Sequence, residues 1–134
     1  MKPLSAATLL LAALLCAPVA ALAALKAGDP APPFTTPAAV AGQAFDFDLS
    51  AALKKGPVVL YFFPKAFTKG CTVEANAFAE ATPQFAALGA TVVGISHDDI
   101  DTLKKFSTEE CSHKFAVASD PQALPLKAHD AAST

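Results

Sequence analysis

Cys71 is the residue best placed to do chemistry, because it follows a buried apolar stretch and opens a helical pattern. A thiol in the first turn of a helix lies beside unpaired N–H groups and the positive end of the dipole, which favour the nucleophilic thiolate. Thr68, three residues earlier, brings a hydroxyl that can cap the helix and stay beside the sulfur, or bond to an incoming substrate oxygen. Pro64 opens the loop and can shield one side of the sulfur from water. The alternative interpretation is a buried structural cysteine at a helix start.

Two apolar runs predict the strands that would hold this site. Residues 57–63 (PVVLYFF) are typical of a fully buried central strand, and residues 90–96 (ATVVGIS) predict a second buried strand. A helix over about residues 71–88, stopped by Gly89, would connect them. Its predicted inward residues recur at helical spacing: Val73, Ala77, Phe78, Ala81, Phe85 and Leu88. Asp98 or Asp99 can cap a second helix that runs to about Cys111, with Ile100, Leu103 and Phe106 inward.

The other segments complete an alternating order of strands and helices. The proline-rich residues 24–42 are expected to be extended and irregular, and residues 43–49 alternate as a half-buried strand. Three short elements are also predicted: a helical turn at residues 53–56, a strand at residues 115–118 and a helical turn within residues 124–131. This order predicts an α/β sandwich with a mainly parallel central sheet and flanking helices.

The first 23 residues have the pattern of a secretory signal peptide. Lys2 is followed by an apolar run, and Ala21 and Ala23 are small residues at the positions that a signal peptidase reads. A membrane anchor is the alternative, but the run is shorter than the roughly 20 residues of a span and Pro18 interrupts it. We therefore expect a signal peptide at residues 1–23, one domain at residues 24–134, no stable membrane anchor, and secretion into a compartment such as the bacterial periplasm.

Composition and spacing exclude several classes of function. The chain has 134 residues, a formal net charge of −2 and no basic patch, so nucleic acid is not an expected partner. No Cys-x-x-Cys or His-x-x-x-His spacing occurs, which argues against a metal site, and no cofactor is implied. His97, His113 and His129 are interpreted as surface or capping residues.

The sequence also contains a cluster of aspartates and a pair of cysteines. Asp98, Asp99 and Asp101 are interpreted as a charge cluster at a helix N-terminus. Removal of the first 23 residues leaves two cysteines, Cys71 and Cys111. In an oxidising compartment such an even pair suggests a disulfide, either permanent or cycling.

The segment around Cys71 resembles the active-site segment of peroxiredoxins. Pro64, Thr68 and Cys71 fill the three fixed positions of the signature Pro-x-x-x-Thr-x-x-Cys. The flanking Gly-Cys-Thr-x-Glu-Ala is similar to the Q-type, or bacterioferritin-comigratory, branch of that family. Residues 28–34 are similar to the opening segment of the family, and residues 93–96 and 119–121 are similar to its second half.

The resemblance implies a thioredoxin-like fold and a peroxidase activity. Cys71 thiolate would attack a hydroperoxide and become sulfenic acid, with Thr68 and Pro64 positioning the peroxide and Glu74 supporting the site. A second thiol would then form a disulfide with Cys71, and a thioredoxin-like protein would reduce it. The expected substrates are hydrogen peroxide and organic hydroperoxides, and the expected state is a monomer or weak dimer.

The sequence departs from the family pattern in three ways. Many Q-type members carry the second cysteine five residues after the first, where this chain has Asn76. Other members carry it on the second helix, so the resemblance implies that Cys111 is the resolving thiol; the alternative is an unpaired core thiol. The family places an arginine near the thiolate, whereas all ten basic residues here are lysines, with Lys69 two residues from Cys71. The family also continues with two further strands after the point where this sequence ends.

These departures keep two other functions open. One is a catalytically weak or inactive peroxiredoxin fragment, or a binding module built on the same fold. The other is a thioredoxin-like disulfide oxidoreductase, against which the missing Cys-x-x-Cys argues.

Overall fold

The apolar runs form five strands of one sheet in the computed structural model, which describes residues 25–131. The strands are β1 Thr35–Val40, β2 Gln43–Asp48, β3 Val58–Phe62, β4 Thr91–Ser96 and β5 Ala116–Ser119. The helices are α1 Leu49–Leu53, α2 Lys69–Ala87, α3 Ile100–Glu109 and α4 Leu124–Ala128. The predicted signal peptide lies outside the described residues.

The strand order is β2-β1-β5-β4-β3, and the sheet is mixed. β3 pairs with β4 and β4 with β5 in parallel, whereas β1 is antiparallel to both β2 and β5. The α/β class with flanking helices is therefore confirmed. The expectation of a mainly parallel sheet holds only for the half of the sheet that contains β3, β4 and β5.

The expectation of irregular structure before residue 43 was wrong for β1. Pro37 lies inside this strand, but the pairing of β1 with β5 begins one residue later, at Ala38. The missing N–H of Pro37 therefore removes no hydrogen bond between β1 and β5. Ala38 and Ala39 are fully buried because β1 lies between β2 and β5.

β3 is an edge strand of the described sheet, not the predicted central strand. All five of its residues are half-buried, as a strand with only one neighbour should be. The reason is topological: β5 inserts between β4 and β1, so the sheet grows away from β3. Periodicity cannot tell an edge strand with covered faces from a central one.

α2 begins two residues before Cys71 and ends at Ala87, and Gly89 is the stop signal, as predicted. Gly89 takes a positive φ of 70°, its N–H donates to the Ala86 carbonyl, and the Ala90 N–H donates to the Phe85 carbonyl, which is a Schellman ending. The predicted inward face was partly wrong, since Val73 and Leu88 are 63% and 77% exposed. The fully buried positions of α2 are small ones: Cys71, Ala75 and Ala79.

Two apolar clusters cover the two faces of the sheet. The cluster beneath α2 and α3 contains Cys71, Cys111, Leu103 and Phe106. The opposite cluster contains Phe47, Leu49, Val93 and Ile95. Both cysteines thus lie on one face of the sheet, in the same apolar layer.

Tyr61 on β3 lies flat over Gly94 on β4. An ideal Cβ built on Gly94 would lie 2.7 Å from Cζ of the tyrosine ring, closer than side-chain atoms approach one another. The other side of the ring stacks on Phe78 of α2 at a centroid distance of 4.3 Å. Glycine at position 94 is therefore what allows an aromatic ring to fill the space between β4 and α2.

We expect Gly94→Ala to destabilise the protein by about 1–3 kcal/mol, because the added methyl overpacks a filled layer. Urea unfolding measures this. The matched control is Gly70→Ala in α2, where an added Cβ meets nothing within 4 Å and the change should stay within about 0.5 kcal/mol. Equal stabilities of the two variants would contradict the steric argument.

Candidate active site

The site loop, residues 64–68, carries the chain from the end of β3 to the start of α2. Thr68 is the N-cap residue of α2, and its carbonyl accepts from the Thr72 N–H at 2.9 Å. One of the two roles predicted for its hydroxyl was to cap the helix, and the hydroxyl does not do so. Instead it donates to the Lys65 carbonyl at 2.8 Å, which closes the loop on itself.

Cys71 is the third residue of α2, so its own N–H belongs to the helix start that lacks intrahelical acceptors. The thiol is 7% exposed, whereas Pro64 and Thr68 are exposed. Lys69 and Glu74 are exposed in the same part of the helix. The structure therefore places Pro64, Thr68 and Cys71 on one continuous loop and first helical turn, with the sulfur shielded by its apolar surroundings.

Two contacts join the site loop to the segment that follows β4. The Ala66 N–H donates to a carboxylate oxygen of Asp98 at 2.7 Å. One residue later, Phe67 adopts a positive φ of 63°, and its ring meets Phe106 of α3 edge-on at 5.2 Å. The loop conformation thus depends on residues distant in sequence.

Asp98 departs from its predicted role in a helix-terminal charge cluster. Asp99 is the N-cap of α3 and accepts from the Thr102 N–H at 2.8 Å, as one of the two capping predictions required. Asp98 lies one residue before it and turns back toward the site loop and Ser96. The sequence signal was a Ser-x-Asp at the carboxyl end of a strand, where parallel sheets place their sites.

Cys111 lies just after α3 and is completely buried. Burial, together with the charge of the nearby Glu110 carboxylate, raises the pKa of its thiol from the ordinary 9.0 to about 12. Cys71 and Cys111 are both free thiols here. At neutral pH Cys111 is therefore protonated and a poor nucleophile in this conformation.

The turn after Cys111 has an unusual backbone. Ser112 and His113 both adopt positive φ, 50° and 61°, although neither is glycine. The His113 N–H donates to the Ser107 carbonyl at 3.1 Å and the Lys114 N–H to the Cys111 carbonyl at 2.9 Å. Consecutive left-handed residues store strain of a few kcal/mol at most, and here they adjoin a buried thiol.

Tyr61 was not singled out by the sequence, yet it lies in the same layer as both cysteines. Its hydroxyl is buried and has no hydrogen-bond partner among the described residues. Burial raises the pKa of this phenol, and the thiolate charges of Cys111 and Cys71 and the carboxylate of Glu74 add to the effect. The phenol therefore stays neutral beside the thiols.

The predicted capping role of the histidines is met in part. His97 contacts the Asp120 carbonyl through Nδ1 at 2.9 Å. His129 is the C-cap residue of α4, and its Nδ1 contacts the Pro125 carbonyl at 2.8 Å, while its ring is half-buried against Phe34 and Phe62. His113 is exposed, as predicted. Within residues 25–131 no group of three His, Cys, Asp or Glu side chains could hold a metal ion. In the same range, no helix has the length and apolar character needed to cross a membrane.

Comparison with known proteins connects this arrangement to one family. The model of the AhpC/TSA family matches residues 27–133. Peroxiredoxin Bcp of Escherichia coli is 36% identical over 96 residues, which are 72% of this chain and 58% of that protein. The chain spans about half the length of the curated relatives it matches.

Solved structures give the same relationship. Peroxidoxin BcpB from Mycobacterium tuberculosis superposes with a TM-score of 0.70 and 34% identity, covering 77% of this chain and 64% of that one. The bacterioferritin comigratory protein of Xanthomonas campestris is described for its alkyl peroxide reduction activity. It superposes with a TM-score of 0.62 and 30% identity, covering 70% of this chain and 58% of that one. These similarities confirm the thioredoxin-like fold of the peroxiredoxins.

The raised pKa of Cys111 predicts how stability depends on alkaline pH. The folded protein keeps the Cys111 proton where the unfolded chain has lost it, so the stabilisation is complete below pH 9.0 and disappears as pH rises to about 12. We expect the free energy of unfolding of wild type to fall more steeply across that window than that of Cys111→Ala. Urea titrations at several pH values test this. Parallel curves would contradict a raised pKa of Cys111.

Proposed function

This chain belongs to the AhpC/TSA family, and on that premise we propose that it is a thiol-dependent peroxidase whose nucleophile is Cys71. The observation that carries the proposal is the placement of Cys71 at the third residue of α2, directly behind a loop that presents Pro64 and Thr68. Hydrogen peroxide and organic hydroperoxides are the proposed substrates.

In the first step Cys71 thiolate attacks one oxygen of the peroxide. An S–O bond forms, the O–O bond breaks, and the leaving hydroxide or alkoxide takes up a proton to become water or an alcohol. The free N–H groups of the first turn of α2 stabilise the thiolate and the developing charge. Exposed Thr68 and Pro64 border the approach to the sulfur, and the side chain of Lys69 adds the positive charge of this turn.

In the second step Cys111 resolves the sulfenic acid. The Cys111 sulfur attacks the Cys71 sulfur, an S–S bond forms, and the hydroxide that leaves takes the Cys111 proton as water. Complete burial and a pKa of about 12 keep Cys111 from acting in the reduced conformation. The segment around Cys111 must therefore open before this step, and the left-handed turn at Ser112 and His113 is the part that releases strain on opening.

The oxidised protein then needs two electrons from outside. A dithiol protein of the thioredoxin kind is the proposed reductant, because thiol–disulfide exchange proceeds through a mixed disulfide with an attacking thiolate. We also propose that the protein works after export, with residues 1–23 removed as a signal peptide and the domain at residues 24–134 in the bacterial periplasm.

We expect Cys71→Ser to abolish peroxide consumption, because within residues 25–131 no other thiol lies at the start of a helix behind the site loop. Cys111→Ser should still consume one equivalent of peroxide per chain and stop at a Cys71 sulfenic acid. In wild type the same equivalent should give a Cys71–Cys111 disulfide. Stopped-flow peroxide consumption, sulfenic-acid trapping with dimedone and peptide mapping measure these three outcomes.

Cys111→Ser is the matched control for Cys71→Ser, since both substitutions replace a buried thiol in the same apolar layer. Peroxide consumption by Cys71→Ser at the wild-type rate would refute Cys71 as the nucleophile. Wild-type protein that keeps a sulfenic acid at Cys71 and a free Cys111 would refute the resolving role.

Export is tested separately, by expression of the full sequence in a Gram-negative bacterium and N-terminal sequencing of the periplasmic protein. We expect a mature N-terminus at Ala24, because small residues precede it at the cleavage positions. Periplasmic protein that begins at Met1, or protein confined to the cytoplasm, would contradict the proposal.

A further inference from the structure

We propose that Asp98 is a positioning residue for the peroxide reaction, acting through the site loop. The inference rests on the proposed function of Cys71 and assigns a role to a carboxylate that lies outside the family-like motif. Asp98 follows β4, and its side chain accepts from the Ala66 N–H of the site loop at 2.7 Å. It therefore joins the end of one parallel strand to the loop that follows the adjacent one.

The contact with Ala66 matters because that N–H has little access to water. Ala66 is 5% exposed, so a lost acceptor would leave a buried donor unsatisfied unless the loop moves. A carboxylate that accepts from a backbone N–H makes a stronger bond than a neutral acceptor does. The loop therefore has one conformation that satisfies Ala66, and Asp98 defines it.

Asp98 is itself held rigidly by its surroundings. The Ser96 hydroxyl donates to the same carboxylate oxygen at 2.8 Å, and the Asp98 N–H donates back to that hydroxyl at 3.2 Å. The Ser119 hydroxyl donates to the Asp98 carbonyl at 2.6 Å. Ser96 and Ser119 are almost fully buried at the ends of β4 and β5. The anchor is thus fixed by two central strands of the described sheet.

The constraint passes along the site loop to Cys71. Phe67, next to Ala66, is held in the left-handed region, with its ring against Phe106. Thr68 then bonds back to the Lys65 carbonyl and begins α2 without a side-chain cap of its own. Since Thr68 does not cap the helix, the position of the first turn, and with it Cys71, depends on the loop that Asp98 holds.

We expect Asp98→Ala to lower the rate constant of Cys71 with peroxide by tenfold or more, because displacements of about 1 Å cost that much in oriented reactions. Alkylation of Cys71 by iodoacetamide should not slow, and should accelerate if the looser loop exposes the thiol. Asp98→Asn keeps an acceptor oxygen for Ala66 and should stay within about threefold of wild type. Single-turnover stopped-flow and mass-spectrometric alkylation rates measure both reactions.

Asp99→Ala is the matched control. It removes the neighbouring carboxylate and the cap of α3, so it destabilises the protein but leaves the contact with the site loop intact. Its peroxide rate should stay near that of wild type. A loss in Asp99→Ala as large as that in Asp98→Ala, or a wild-type rate in Asp98→Ala, would overturn the proposal.

Two further measurements keep the test decisive. If Asp98→Ala does not fold, Ser96→Ala loosens the same carboxylate and should show a smaller but measurable loss of rate; a wild-type rate there would refute the role. The Ala66 amide should be protected from hydrogen exchange in wild type and in Asp99→Ala, and unprotected when Asp98 is alanine. If wild type does not react with peroxide the proposed function fails, whereas unchanged Ala66 protection in Asp98→Ala would refute the inference itself.

Discussion

The hydrogen bond between the Ala66 N–H and Asp98 is the contact on which the arrangement around Cys71 depends. α2 starts at a threonine whose hydroxyl is used elsewhere, so the helix has no side-chain cap to fix its first turn. A helix start that must carry a reactive thiol needs some other anchor. Here the anchor comes from the carboxyl ends of β4 and β5, where buried Ser96 donates to the Asp98 carboxylate and buried Ser119 donates to the Asp98 backbone carbonyl.

The opposite requirement governs Cys111. In the cycle we propose, a resolving thiol that was always reactive would compete for peroxide and for other disulfides, and burial prevents this by keeping the proton on sulfur. The same proposal requires the segment after α3 to open before a disulfide forms. Ser112 and His113, which follow Cys111, are left-handed, and their backbone strain raises the free energy of the folded turn. The proposed opening of this turn therefore costs less free energy than the opening of an unstrained turn would.

The layer that contains both thiols is rich in aromatic side chains. Tyr61 lies on Gly94 and against Phe78, and its hydroxyl is buried without a partner in the described part of the chain. Burying an unsatisfied hydroxyl is unfavourable, but the large ring fills the space between sheet and helix that small residues of α2 leave. Both cysteines therefore lie in a layer whose packing depends on this ring.

The sequence alone determined the class of fold and several local features: a cysteine at a helix start behind Pro64 and Thr68, the Gly89 helix stop, the Asp99 cap, and alternating strands and helices. These features are local, and each is decided by residues within a few positions of one another. Only the tertiary structure decided that β3 lies at the described edge, that β1 is a strand despite Pro37, and that Asp98 turns from α3 to the site loop. Strand order and contacts such as that between Ala66 and Asp98, 32 residues apart, depend on how distant segments share one buried layer, which no local pattern encodes.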